Sequence, residues 1–242
     1  SKVKSRLEQI SKKIPYGIED IPNKPMLKNK WKVGCFDDNR ANGVSFSLMY
    51  FNNAEEKIDY KLDVVQFLTS KLLSWVAFDV LREKKSLIYS FSPFKAGDLS
   101  FYYDISGFSF TTEQSKVLDT LNELYTLMHD YTFHFLQTKK GREWFDDAIS
   151  RFIFPSSIKF SSDLAESDAS SIIEGKEIFN DNKSVKAAKA VVIEDIQKYL
   201  EEMINIPPHI WIEGNIKKKE IKDIVNKSSF GKRFNINKPL PN

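Results

Sequence analysis

The stretch Val76-Ala77-Phe78-Asp79-Val80-Leu81-Arg82-Glu83-Lys84-Lys85-Ser86-Leu87-Ile88-Tyr89-Ser90-Phe91 decides how the rest of the chain is read. Val76, Val80 and Leu81 recur at helical spacing, and the run then changes to the alternation Leu87, Tyr89, Phe91, a switch from period 3.6 to period 2. The pattern predicts a helix that delivers a charged end directly onto a sheet, with strands over Leu87 to Phe94 and Leu99 to Ile105. Arg82 and Tyr89 lie seven residues apart across the junction, so a last-turn arginine and a strand tyrosine can point into one space. Such a pair can grip a carbonyl or an anion.

Before that junction, two strands are expected at Trp31 to Phe36 and Val44 to Phe51, joined through Asn42-Gly43, with Val44, Phe46, Leu48 and Tyr50 on one face. Ile58, Leu62, Val65, Leu68 and Leu72 fit a helix packed on that sheet, and Ser74 is expected to interrupt it before the helix bearing Arg82. After the hairpin, Thr111 or Thr112 is the expected N-cap, with Glu113 in the first turn and Val117, Leu121, Leu124, Tyr125 and Met128 as the core stripe. The second half reads as helical over Arg142 to Phe152, weakly over Asp163 to Phe179, and strongly over Val191 to Met203. Pro208 to Asn215 then reads as a closing strand and turn. The fold class is α+β, an antiparallel-dominated sheet with helices on one face.

The segment Leu-Arg-Glu-Lys-Lys-Ser-Leu-Ile-Tyr-Ser at 81–90, the Gly-Asp pair behind it and the closing Ile-Glu-Gly-Asn resemble the non-zinc domains of the pitrilysin/insulinase family of zinc peptidases. The order strand, strand, helix, helix, strand, strand, helix agrees with that family's repeated domain. The resemblance covers about residues 31 to 215, and Ser86 stands where the family has glycine. It implies that Arg82 and Tyr89 bind substrate at a zinc site carried by another domain, with Glu83 orienting Arg82 or pairing with a lysine. It also implies a zinc-bearing half or partner subunit, and peptides as substrates. A catalytically inert structural relative and a stand-alone peptide-binding module using a sheet edge are the other readings of the same pattern.

Catalytic members of that family carry His-x-x-Glu-His on a helix. This chain has three histidines, His129, His134 and His209, and no such motif in either orientation. His129 and His134 are five apart, about 140° around a helix, so no metal ligand and no cofactor is expected in this segment. Phosphate loops and the Gly-x-Ser-x-Gly elbow are missing from the sequence too. Asp146-Asp147 and Glu201-Glu202 diverge around their helices and read as solvated charge.

The 242 residues are 41% hydrophobic, enough for a sizeable core, and 36 basic against 33 acidic residues leave a net charge of +3. That balance gives no nucleic-acid arm, and Lys217-Lys218-Lys219 reads as a solvated helix face. Phe101, Tyr102, Tyr103, Phe108 and Phe110 alternate as a core strand without the interleaved cations of a single-strand binder. Cys35 is the single cysteine, which excludes an internal disulfide, and its strand context marks it as a small core residue. No apolar run of about 20 residues is evident, and Ser1 to Ile14 is polar and amphipathic, so a soluble segment without membrane partner is expected. Residues 1–30 read as a leader helix and proline-rich linker from a preceding repeat, 31–215 as one domain, and 216–242 as a C-terminal helix and tail. Similar proline-bearing ends suggest the last of several repeats.

Overall fold

The computed structural model describes residues 33–37, 41–53, 59–98, 103–153 and 181–234. The expected leader over 1–30, the weak helix at Asp163 to Phe179 and the tail beyond 234 lie outside these residues.

Among the described residues five strands form one sheet: β1 (Val33–Asp37), β2 (Val44–Asn53), β3 (Ser90–Asp98), β4 (Tyr103–Thr112) and β5 (His209–Gly214). Their order is β1-β5-β2-β4-β3. The three pairings made by β2 and β4 are antiparallel, and β5 runs parallel to β1. The last strand in sequence therefore inserts between the first two, which ties the end of the chain into the centre of the sheet. Pro93 sits in β3, at the end of the strand order, where proline is tolerated better than in a central strand.

Val44, Phe46, Leu48 and Tyr50 do share one face and are buried together. Phe46 opposes Phe110 with rings stacked at 5.1 Å. Ile210 and Ile212 extend this inner face across β5. The opposite face carries hydroxyls instead, with Ser47 and Ser109 paired at 2.9 Å and Ser45 opposite Thr111. On that face the Trp211 ring lies against Gly34, at 2.4 Å from where a Cβ would stand, so a side chain there would displace the indole. Cys35 is half-buried against the core.

Helix α1 (Tyr60–Ala77) is capped by Asp59, whose carboxylate accepts the Leu62 N–H at 3.0 Å. Val64, Leu68, Leu72 and Val76 form its fully buried stripe. The expected stripe was out of phase at its start, because Leu62 is exposed. The expected break at Ser74 does not occur either. Ser74 Oγ donates back to the Ser70 carbonyl at 2.8 Å, and the helix runs on to Ala77 before widening into a π-helical segment, Phe78–Lys84. The continuous Tyr60–Lys84 element is long and apolar enough by length and composition to cross a membrane, which a reading broken at Ser74 did not anticipate. Its apolar stripe is packed inside the protein, the arrangement of a core helix.

After β4, a 3-10 turn (Gln114–Lys116) leads to α2 (Val117–Thr126), which passes through a π-helical turn (Leu127–Tyr131) into α3 (Thr132–Gln137). The buried Thr132 hydroxyl donates to Leu127 O at 2.7 Å, taking up a carbonyl of the widened turn. Then come α4 (Lys139–Ile153), α5 (Asp181–Ala188) and α6 (Ile193–Asn205), and after β5 come α7 (Lys218–Lys227) and α8 (Ser229–Phe234). Ile221, Val225 and Phe230 from the last two helices join the same hydrophobic core as the sheet. Lys217, Lys218 and Lys219 are exposed, as a solvated face requires.

The hairpin departs most from expectation. β4 runs to Thr112, so neither Thr111 nor Thr112 caps a helix. Ten residues of β2 pair along β4, and Phe108 and Phe110 on the inner face hold that ladder past the point where propensity suggested a stop. Thr112 instead donates its hydroxyl to Leu87 O at 2.6 Å. Of the aromatic set, Phe108 and Phe110 are core residues; Phe101 and Tyr102 lie outside the described residues.

Candidate functional site

The helix-to-strand junction is built on a left-handed residue. Ser86, where the resembling family has glycine, adopts φ 49°. It ends the π segment in a set of closing bonds: Lys85 N–H to Val80 O at 3.1 Å, Ser86 N–H to Arg82 O at 3.1 Å and Leu87 N–H to Leu81 O at 2.7 Å. Serine thus keeps the backbone a glycine would adopt, at a cost. The left-handed region penalises an L-residue by roughly 1–2 kcal/mol, while glycine's greater unfolded freedom offsets about 0.5–1 kcal/mol of that. Ser86→Gly should therefore stabilise the chain by about 0.5–1 kcal/mol and raise Tm by about 2–3 °C in a calorimetric or dichroism melt.

Three side chains fasten the turn from the far side. Lys116 Nζ donates to Ser86 O at 3.2 Å, and Thr112 and Thr120 both donate to Leu87 O, at 2.6 and 3.3 Å. Ile88 is buried, and the Tyr89 N–H bonds to Thr111 O at 2.8 Å, starting the β3–β4 ladder one residue before β3. Lys85 pairs with Glu123, and Lys84 with Asp79 at 2.7 Å. The junction is thus a fixed platform, and Arg82, Glu83 and Tyr89 stand out from it.

Arg82 keeps about half its side-chain surface, with its guanidinium 5.0 Å from the Phe78 ring centre and its Nε 3.8 Å from Glu83 Oε1. Tyr89 is 57% exposed. Its hydroxyl donates to Glu113 Oε1 at 2.7 Å, and the same oxygen accepts from Lys116 Nζ at 2.8 Å. The bond to Glu113 pushes the Tyr89 phenol up, the bond from Lys116 and then that from Tyr89 hold the Glu113 carboxyl down, and Glu113 in turn raises Lys116. The three make a lysine–carboxylate–phenol chain. Arg82 and Tyr89 make their contacts with different partners, Phe78 and Glu83 for one and Glu113 for the other. Sequence reasoning found the exposed pair but placed Glu113 in a helix turn and gave Lys116 no role. The Glu113–Lys116 spacing of three was visible; their meeting with Tyr89 depends on cross-strand register.

The histidines are separate. His129 stacks on Tyr125 with centroids 3.9 Å apart, and His134 Nδ1 lies 2.8 Å from Asp130 O. No group of three or more His, Cys, Asp or Glu side chains suited to a metal ion occurs among the described residues. Burial holds the His129 imidazole below the ordinary 6.5. An unfolded chain binds that proton more readily than the folded one, so this residue's contribution to stability should be lost as pH falls from 6.5 through the lowered folded value. Urea melts between pH 7.5 and 5 should show a loss that His129→Phe reduces.

No family model matches the sequence, and the curated proteins give no match. Solved structures do. A predicted insulinase family protease from Yersinia pestis superposes with a TM-score of 0.63 at 10% identity, over 96% of this chain and 53% of that one. A peptidase M16 inactive domain from Pseudomonas fluorescens gives 0.61 at 14% identity, over 82% of this chain and 46% of the other. A protease from Helicobacter pylori gives 0.61 at 16%, over 81% and 48%. The chain therefore has the fold of insulinase-family, peptidase M16 protease domains, the α+β fold its sequence resemblance implied. It spans about half the length of these solved chains.

Proposed function

We propose that this chain is a zinc-lacking domain of a pitrilysin/insulinase-type metalloendopeptidase, closing a peptide chamber whose zinc site lies on another domain or subunit. Arg82 and Tyr89 bind the substrate carbonyl there and stabilise the oxyanion that develops on it. The observation that carries this reading is the anchored junction: an exposed guanidinium and an exposed phenol, seven residues apart, leave a turn fastened by three side chains within a peptidase fold. Size supports it. The chain matches 50% of the first half of the periplasmic protease PqqL from Escherichia coli and 25% of the whole, as one repeat of a longer chain does.

Glu83, 3.8 Å from Arg82, restrains that guanidinium from its own helix turn. In this assignment the zinc, with its Lewis acidity and activated water, belongs to the partner. This chain's residues orient peptide and hold charge.

The second reading is a catalytically inert relative of the same fold. It is favoured by the Tyr89 hydroxyl, whose proton is already given to Glu113, and by the inactive M16 domain among the structural neighbours. The two readings separate on mixing the chain with a zinc-bearing half. Peptide hydrolysis that needs both components, with none from this chain alone, supports the first; a stable complex in which the chain changes no rate supports the second.

A further inference from the structure

Tyr89 is held by a side chain that its own strand does not supply. Its backbone N–H bonds to Thr111 O at 2.8 Å, but its side chain is 57% exposed, so packing does little to fix the ring. The hydroxyl does more, through its 2.7 Å bond to Glu113 Oε1. Glu113 is the N-cap residue of the Gln114–Lys116 turn, in extended backbone, and its side chain caps no N–H of that turn. An acidic or hydroxyl side chain before a helical turn ordinarily accepts from the first backbone N–H groups. This one is turned to the phenol instead.

Lys116 fixes the carboxylate in its turn. Its Nζ donates to the same Oε1 at 2.8 Å and to Ser86 O at 3.2 Å, so one ammonium ties Glu113 to the left-handed turn and Glu113 ties the phenol. The backbone beneath is fastened too, since the fully buried Thr112 donates to Leu87 O and Ser90 Oγ donates to Thr111 Oγ1 at 3.2 Å. The bonds from Lys116 and Tyr89 hold the Glu113 carboxyl below its ordinary value, and an ionised carboxylate only accepts. The phenol hydrogen therefore lies on the Glu113 side at rest. Rotation about the Cζ–Oη bond can turn it to a developing oxyanion while the ring stays where it is. Arg82 has Glu83 beside it at 3.8 Å, so each exposed group has its own carboxylate, one adjacent in sequence and the other 24 residues away.

We infer that Glu113, anchored by Lys116, is a positioning residue for Tyr89, holding the phenol in the one orientation from which its hydroxyl meets the substrate oxygen. The inference rests on the substrate-binding role given to Tyr89 above.

The test starts with the whole chain carrying carbon-13 tyrosine, the Tyr89 signal being identified among the nine tyrosines by its loss in Tyr89→Phe. In the parent the ring should be ordered and the phenol should titrate above its ordinary value. Glu113→Ala should loosen the ring and return the phenol to about 10, with the dichroism spectrum unchanged. Should that variant misfold, Glu113→Ser, favoured before a helical turn and too short to reach the phenol, takes its place. In the enzyme reassembled with a zinc-bearing half, Glu113→Ala should lower kcat/KM about fivefold, through kcat rather than KM. Glu113→Gln, which keeps the acceptor oxygen, should recover more than half of that loss. In a Tyr89→Phe background Glu113→Ala should have no further effect, because there is no hydroxyl left to position. An unchanged ring signal in Glu113→Ala, or an equal loss of activity with and without the Tyr89 hydroxyl, overturns the inference. If Tyr89→Phe loses activity and Glu113→Ala does not, the inference fails and the role of Tyr89 stands. If Tyr89→Phe keeps full activity, the role of Tyr89 fails and the positioning role falls with it.

Discussion

In an enzyme reassembled from this chain and a zinc-bearing half, Arg82→Ala and Tyr89→Phe should each lower kcat/KM by at least tenfold, and by up to a hundredfold to a thousandfold. Donors aimed at charge that develops in a transition state contribute roughly 2.7–4 kcal/mol each, because they act where water is excluded and need no reorganisation. In the isolated chain both side chains are half exposed or more, so their present contacts are weak. The guanidinium over Phe78 accounts for about 0.5–1 kcal/mol at an exposed site, and exposed polar substitutions of this kind stay mostly within about 0.5 kcal/mol. Tm should therefore barely move. Activity and stability separate the two roles of the pair. If both groups hold one oxyanion, the double variant should fall short of additivity. Full activity in both single variants, or loss only through unfolding, would assign the pair to structure and favour the inert reading.

Much of this fold was legible because the inner sheet face is written in alternation. Val44, Phe46, Leu48 and Tyr50 are apolar in every second position, with Ser45 and Ser47 between them, and nothing but a half-covered strand satisfies that pattern. The stripe of Val117, Leu121, Leu124, Tyr125 and Met128, running from α2 into the π-helical turn after it, was equally readable: four of the five are buried and Tyr125 packs half-buried against the same core. What was not legible depends on contacts distant in sequence. β5 enters between β1 and β2, a position that its own six residues do not encode. β4 continues to Thr112 because β2 offers it partners to Val44, although the local sequence Thr111-Thr112-Glu113 reads as a helix cap. The π-helical segment at Phe78–Lys84 was hidden because its apolar residues still look helical; the extra width shows only as hydrogen bonds reaching five residues back, as from Lys85 N–H to Val80 O. The exposed pair at the candidate site came from a motif. Its neighbours Glu113 and Lys116 came only from the register that sets Tyr89 beside the end of β4.

Phe46→Ala should be the most damaging single truncation in the fold, costing about 3–5 kcal/mol. Phe46 is fully buried on β2, the strand with β5 on one side and β4 on the other, and its partners across the sheet are Ile212 and Phe110. Its ring stacks on Phe110 at 5.1 Å with planes 6° apart, so truncation removes transfer free energy and a ring pair worth about 0.5–1.5 kcal/mol beyond area. The site has little means of collapsing. Both neighbouring strands are held by backbone ladders, and those spacings do not contract to fill a missing ring. A natural domain's whole stability is about 5–15 kcal/mol, so the variant should lose from about a fifth to all of it, with its urea midpoint lowered in proportion and its m-value unchanged if unfolding stays two-state. Phe46→Leu keeps most of the volume and should recover more than half of the loss. Cys35→Ala, on the edge strand and only half-buried, gives the internal comparison and should cost far less. A Phe46→Ala midpoint within experimental error of the parent would mean that β2 is not the centre of the core, and the sheet order itself would then be in error.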